Sequence, residues 1–426
     1  MGFPVALLCI AALSVAVYTI IPDLLLHRLG IGSWKRQYSP GVAITFDDGP
    51  DPGFTPRILD ILSKHRVSAT FFVVGEKALK YPDLIKQIRA SGHSIGAHSQ
   101  HHRYAWFMSP METWKEWKEC VTVLENLTGE TIHWVRPPWG TFNLVTWLWL
   151  RTNNRRAVLW NVDGHDWQAR SDEEEIISRV ISKTKEGSIV VLHDAGGETG
   201  APENTIKALD EICQRIVREQ KLPLVQLSFP EWPVRRRIAF MLWEKWEHIF
   251  ARLYSVERID STNMLRLSKT RYKGPDIYAP NGQLLAQKGD WVGEIHFDNI
   301  RFVNNETDVQ KIALQALRQA KESLPVFARY IEGNPKYQGI RVFLGLSLMH
   351  RGVKRLGFEV QEVPIVGLSR WIAILQKVIA RVYHPTSMVK GSKHFDDKLK
   401  LVWISRQQLF ERWLCSDEYR AKASVK

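Results

Sequence analysis

Three regimes of hydrophobic and polar patterning follow one another along the chain. The first is Phe3 to Pro22, twenty consecutive residues without a charge. An apolar helix of that length crosses a bilayer. The second runs from residue 41 to about 226, where short apolar runs alternate with stretches of helical period. Val42–Phe46, Ala69–Val74, Ser94–Gly96, Ile132–Val135, Ala157–Val162, Ser188–Leu192 and Leu224–Leu227 read as strands. Pro56–Lys64, Pro82–Ser91, Ser109–Leu127, Asn143–Asn153, Asp172–Lys185 and Glu203–Glu219 read as helices. Strands that alternate with helices imply parallel βα units. Their span of about 185 residues is small for a full eight-unit barrel. The pattern predicts an α/β fold, a distorted (β/α) barrel of about seven parallel strands, with an open doubly wound sheet as the alternative. The third regime begins near residue 231. Strand-like pieces lie between 264 and 302, with helices at Thr307–Ser323, Ser369–Tyr383 and Ser405–Trp413. It predicts a separate α+β domain. The domains expected are therefore 1–26, a membrane anchor or signal; 38–230, the barrel; and 231–426.

The apolar N-terminal stretch lacks a basic leader and a clear small-residue cleavage site. It reads as an uncleaved anchor rather than a cleaved signal. His27, Arg28, Lys35 and Arg36 follow it. The positive-inside rule would keep that side in the cytoplasm; the chemistry of the barrel favours the outside, and the expectation is a single-pass cell-membrane protein with its catalytic domain extracellular.

Charge is unevenly distributed. The net charge is +13, yet residues 1–230 hold 25 Lys+Arg against 25 Asp+Glu. The whole excess belongs to residues 231–426, which suggests an anionic surface as a partner for that domain. No nucleic-acid-binding motif is present, so nucleic acid is not expected. Cys9, Cys120, Cys213 and Cys415 form no CxxC pair, which excludes a zinc-finger pattern and gives no disulfide framework.

Polar residues gather at the C-terminal ends of the expected strands, where (β/α) barrels build active sites. Asp47 and Asp48 follow the first strand, His98 and His102 the third, Arg136 the fourth, Asp163 and Asp166 the fifth, and His193 the sixth. His98 and His102 are spaced i, i+4, so both imidazoles can face one ion. With Asp48 they supply two nitrogens and one oxygen and leave a position open, as catalytic zinc requires. A metal there lowers the pKa of a bound water and polarises a carbonyl. Asp47 projects differently and is the natural general base. Arg136 would hold it ionised and oriented. His193 would act as general acid, with Asp166 raising its pKa by pairing and Trp167 as an apolar wall. His101 reads as structural.

These segments resemble the motifs of the polysaccharide deacetylase family, carbohydrate esterase family 4. TFDDGP stands at 45–50, HxxxH at 98–102, RxPxG at 136–140, DxxDW at 163–167 and Leu-His at 192–193. The resemblance covers about residues 38–230. It implies metal-dependent removal of N-acetyl groups from an amino-sugar polymer, peptidoglycan or a chitin-like oligosaccharide. It casts Asp47 as base, Asp48, His98 and His102 as ligands of a divalent metal, with zinc the expected ion, and His193 as acid with Asp166 as its partner. It further implies that the Trp139 backbone N–H helps stabilise the oxyanion, and that Trp167 and Leu192 line an acetyl pocket. Trp139 stands where tyrosine is frequent, a change that a backbone donor survives. An O-acetyl or other acyl esterase with the same metal site, or a non-catalytic glycan-binding envelope protein, are the competing readings.

Other residues have blander expectations. His65, His93, His133 and His165 read as structural or surface histidines. Trp106 and Phe107 could stack sugars, whereas Trp114 and Trp117 read as core. In the C-terminal part, which carries no recognised family pattern, Arg235-Arg236-Arg237 precedes an aromatic stretch, Ile238 to Leu253. That stretch reads as a bridge between domains or a membrane-surface helix. Strand alternation puts Glu294, His296 and Asp298 on one face, expected to be solvated.

Overall fold

The structure is a computed structural model that describes residues 2–38, 41–229, 234–260, 263–298, 309–347, 352–362 and 400–414. The chain divides into two compact units, Met1–Phe229 and Pro230–Lys426.

The first unit is built on an all-parallel sheet of eight strands. They are β1 (Ser33–Trp34), β2 (Ala43–Asp47), β3 (Thr70–Val73), β4 (Ser94–Ala97), β5 (Trp134–Val135), β6 (Arg156–Val158), β7 (Val162–Asp163) and β8 (Ile189–His193). Their order is β1-β6-β5-β4-β3-β2-β8-β7. β6 and β7 are therefore six strand spacings apart along the ladder, about 29 Å if the sheet were flat. Yet only Leu159–Asn161 separates them in sequence, and four Cα steps reach no more than about 15 Å. The sheet must curl until β7 returns to within about 15 Å of β6, which rules out the open doubly wound alternative and makes a curled, distorted barrel. The single strand expected over Ala157–Val162 is thus two short ones, joined by the residues that close the ring. The strand expected at Leu224–Leu227 makes only the bridge Val42↔Leu224. β1 and the helix Gly75–Lys80 were not foreseen; a two-residue strand leaves too little pattern to read.

Alternation sorts the strand residues into two layers. Ile44, Phe46, Phe71, Val73, Val190 and Leu192 share a core with Ile58 and Leu62 of the helix Thr55–His65 and with Leu209, Ile212 and Ile216 of the helix Ala201–Arg218. Ala43, Phe72, Val158 and Ile189 face the other way, with Trp34, Leu227 and Phe229. The helix Pro110–Thr128 begins at a capping box between Ser109 and Glu112, which satisfies two of its free N–H groups. The N-terminal helical run, Gly2–Val15 continued through Leu24–Arg28, belongs to this unit. Leu26 enters the main core, and Asp23 Oδ1 accepts the Phe142 N–H at 3.0 Å.

The second unit opens with the helix Val234–Leu253. A six-stranded sheet follows, in the order β15 (Glu359–Glu362), β16 (Lys400–Ser405), β14 (Val342–Ser347), β13 (Trp291–Phe297), β10 (Leu265–Arg271), β9 (Glu257–Arg258), and β11 (Ile277–Tyr278) and β12 (Leu284–Ala286) form a separate two-stranded pair. Only β13 and β14 pair in parallel. The helices Val309–Gly333 and Arg406–Trp413 bury Leu324, Phe327, Ile331 and Leu409 against Leu267, Phe343 and Ile404. This is the α+β pattern expected; the helix expected at Ser369–Tyr383 lies outside the described residues. The Glu294–Asp298 face is not the solvated one expected. Asp298 is buried and paired with Arg266 and Arg258. His296 Nε2 lies 3.1 Å from Ser268 Oγ, and burial pushes its pKa down to about 4.

Phe71 stacks on Phe46 with ring centroids 5.0 Å apart, both wholly inside the barrel core. Phe71→Ala is expected to cost about 3–5 kcal/mol. Urea unfolding of the variant should show a lower midpoint with an unchanged slope for this unit.

Candidate active site

The site is assembled at the C-terminal ends of β2, β4, β5 and β8. β2 ends in Asp47 and runs straight into Asp48, which adopts φ +72. Ser99, His102, Trp139 and His165 also take positive φ, so five of the nine such non-glycine residues among those described stand at this rim. Left-handed backbone at residues with a Cβ costs of order 1–3 kcal/mol each and persists where the surroundings enforce it. Two glycines make room. A Cβ at Gly196 would collide with Asp48 Oδ2, and one at Gly49 with Asp194 Oδ2. Asp194, next to His193, is buried and takes a hydrogen bond from Thr55 Oγ1 at 2.6 Å; burial pushes its pKa up to about 7.

The ligand atoms of Asp48, His98 and His102 lie within 4.8 Å of one another. Asp48 Oδ1 is 3.2 Å from His98 Nε2 and 2.9 Å from His102 Nε2. His98 Nδ1 lies 2.7 Å from the Arg136 carbonyl oxygen, which can only accept. That contact puts the proton on Nδ1 and turns the Nε2 lone pair toward Asp48. Lone pairs converging on one point repel unless a cation lies between them, so the donor set fits a divalent metal. His101 turns away to Glu116, with Nδ1 2.7 Å from Oε1.

Asp47 is buried and its Oδ1 takes the Arg136 Nη1–H at 2.6 Å. Arg136 itself is wholly buried. Nη1 also donates to Thr45 Oγ1 at 2.8 Å, Nε to the Val158 carbonyl at 3.1 Å and Nη2 to the Leu159 carbonyl at 3.3 Å. Across the site, His193 Nδ1 is 2.8 Å from Asp166 Oδ1. Asp166 Oδ2 accepts the His193 N–H and the Thr205 hydroxyl, each at 2.7 Å. Burial works against charge on His193. The Asp166 carboxylate outweighs it, with Asp48 and Asp47 adding to the effect, and the pKa rises to about 10. Trp139 is exposed and its ring lies 4.5 Å from that of His102. Trp167 is part-exposed at the rim, against Gly197.

Leu192 is placed differently from expectation. It pairs with Phe46 in the register of β2 and β8 and shares the helix-side core. Asp47 pairs with His193 and Thr45 with Val191. Val191, two residues before His193, therefore shares the face of the site, and Leu192 does not. The two-residue period of strands carried that information, and adjacency in the Leu-His pair obscured it. Thr205 left no signal, being 39 residues from the carboxylate it braces. His165 is half-exposed and paired through its backbone with Asp163, and His65 pairs with Asp210. His93 accepts the Ala69 N–H and is kept neutral by burial, its pKa about 4.

Comparison with known proteins bears on both units. Residues 35–158 match the family model for polysaccharide deacetylase, and residues 236–413 match that for the YkoP domain. A peptidoglycan-N-acetylglucosamine deacetylase of Bacillus cereus is 36% identical over 193 residues, which cover 43% of this chain and 69% of that one. A chitooligosaccharide deacetylase of Sinorhizobium fredii is 32% identical over 182 residues, 41% of this chain and 84% of that one. A crystal structure of a peptidoglycan N-acetylglucosamine deacetylase superposes with a TM-score of 0.45 at 31% identity, over 48% of this chain and 94% of that one.

The His193–Asp166 pair makes a pH-dependent contribution to stability. The folded pKa, about 10, lies above the ordinary 6.5. The contribution is therefore complete below about pH 6.5 and lost as pH rises toward 10. The stability difference between the wild type and Asp166→Asn should shrink across that window, and the His193 ring proton resonance should titrate well above neutrality in the wild type alone.

Proposed function

Because the chain belongs to the polysaccharide deacetylase family, we propose that it removes N-acetyl groups from an amino-sugar polymer at the rim just described. The observation that carries this reading is the convergence of Asp48, His98 and His102 beside the Asp47–Arg136 pair, with His193 and Asp166 completing the rim. The substrate reading draws on the relatives, which are named for peptidoglycan and chitooligosaccharide deacetylation.

Asp48, His98 and His102 would hold a divalent cation, zinc by the donor set. When bound, the cation supplies Lewis-acid polarisation and a lowered pKa for water. Everything else falls to side chains and backbone of this chain. Asp47 accepts the proton of the attacking water. Arg136 fixes the direction of Asp47 through its 2.6 Å hydrogen bond. The water oxygen bonds to the acetyl carbon, and the Trp139 N–H stabilises the resulting oxyanion. His193 gives a proton to the sugar nitrogen as the carbon–nitrogen bond breaks, leaving a free amine and acetate. Asp166 keeps His193 protonated for that step. Its oxygens already take three donors, so it stays an acceptor throughout. Trp167 and Val191 stand where the acetyl methyl needs apolar walls.

Among the described residues one helix, Val5–Arg28, is long and apolar enough to cross a membrane, with a mean hydropathy of 2.4. We read it as an uncleaved anchor, with the catalytic unit outside the cell membrane. The support is its docking. Asp23 caps the Phe142 N–H and Leu26 fills the barrel core, so cleavage behind this helix would strip part of the fold.

Asp47→Asn should keep the metal, assayed by metal analysis of the purified chain, while kcat falls by roughly 10²–10⁴. His98→Ala should lose metal and turnover together. An Asp47→Asn enzyme with undiminished kcat would remove Asp47 from the role of base.

A further inference from the structure

The N-terminal helix does not leave the catalytic unit before it enters the apolar phase. Tyr18 Oη donates to the Met108 carbonyl at 2.8 Å, and Thr19, Asp23 and Leu26 are buried against the barrel. A span needs about twenty residues. Val5–Arg28 supplies them only if the docked part, Tyr18 to Leu26, is counted. The outward face of that docked part is itself apolar. Ile20, Ile21, Leu24 and Leu25 are 52%, 45%, 48% and 37% exposed. Lipid is the phase that covers such a face at no cost.

The surface beside the docked helix has the same character. Around Met108, the acceptor of the Tyr18 hydroxyl, Trp106, Phe107, Met111 and Trp114 are 39%, 82%, 83% and 42% exposed. Trp114 is thus at the surface, against the expectation of core packing. Exposed aromatic and apolar groups of this kind favour the bilayer boundary. The patch also continues into the active site. Ring centroids run from His102 to Trp139 at 4.5 Å, from Trp139 to Tyr104 at 5.2 Å, and from Tyr104 to Phe107 at 5.4 Å. On the other side, a Cβ at Gly140 would lie 3.3 Å from His27 at the end of the helix, so the Trp139 loop rests on the span.

We propose that the docked helix and the Trp106–Trp114 patch together seat the catalytic unit in the bilayer boundary, with the metal rim opening at headgroup level, so that its substrate is an amino-sugar glycan held at the membrane surface. The proposal rests on reading the helix as an anchor and the rim as a deacetylase. It makes the patch a membrane contact rather than a sugar platform.

The test uses the full chain reconstituted in phosphatidylcholine vesicles. An environment-sensitive fluorophore is placed at Phe107→Cys, and separately at Lys64→Cys on the helix Thr55–His65, which follows β2, three strands around the ring from β5. Doxyl-labelled lipids should quench the probe at 107 and leave the one at 64 bright, with the unsubstituted chain giving the background. Acetate release is then compared between a chitooligosaccharide linked to a phospholipid in the same vesicles and the same oligosaccharide free in solution. Turnover of the membrane-held form should be higher by roughly 10–100-fold, through effective concentration. Met111→Glu should lower both the quenching and that preference while leaving turnover of the free oligosaccharide unchanged. Chain that fails to float with the vesicles overturns the anchor reading and this proposal with it. Chain that floats with an unquenched probe at 107 leaves the anchor standing and overturns the seating. Quenching with equal turnover of both substrates overturns the assignment of a membrane-held glycan, and no release from either form refutes the deacetylase reading instead.

Discussion

Arg136 is the constraint on which both the fold and the site depend. A guanidinium without solvent contact costs several kcal/mol to desolvate, and well-placed partners must offset that. The barrel provides them for four of its five N–H groups. The Asp47 carboxylate takes one and balances the charge, and the Thr45 hydroxyl and the Val158 and Leu159 carbonyls take three more. The Phe72 ring lies 4.0 Å below the guanidinium carbon. Val158 and Leu159 are where the chain leaves β6 to reach β7, so the same side chain that orients Asp47 also ties down the segment closing the ring. Its backbone carbonyl meanwhile fixes the tautomer of His98. One residue at the end of a two-residue strand thereby couples Asp47, the proposed base, His98, a proposed metal ligand, and the curl of the sheet.

Much of the site was legible because its chemistry is written at short range. Asp47-Asp48 at a strand end and the His98–His102 spacing are local patterns, and the strand–helix alternation put each at the same rim. The misreadings have a common physical origin in tertiary geometry. Leu192 adjoins His193 in sequence, yet the pleat sends the two side chains to opposite faces of β8. Thr205 and Gly196 act through proximity created by folding, as a third donor to Asp166 and as space for Asp48. The ring closure was read as one strand because an apolar run from 157 to 162 gives no sign that it serves two ends of one sheet. Hydropathy marked Phe3–Pro22 as lipid-facing and was silent on Asp23, which accepts the Phe142 N–H from 119 residues away in sequence.

The two units differ in electrostatic character as well as in fold. The deacetylase unit balances its charges, whereas residues 231–426 carry the entire net +13. In that unit, burial of Asp298 between Arg266 and Arg258 shows that some of the excess cation is spent on its own packing. The match to the YkoP domain gives the unit a relative. The side chains proposed for the chemistry of the rim all fall within residues 47–205, in the first unit.

The central claim is that this rim hydrolyses the amide of an N-acetylated sugar through a bound divalent cation. The most direct test is acetate release by the purified full chain from N-acetylglucosamine oligomers and, side by side, from an O-acetylated glycan lacking N-acetyl groups. Each is assayed after chelation and again after zinc is restored. The account predicts release from the N-acetylated oligomers alone, abolished by the chelator and recovered with zinc. Release confined to the O-acetylated glycan, or release indifferent to the chelator, would contradict it.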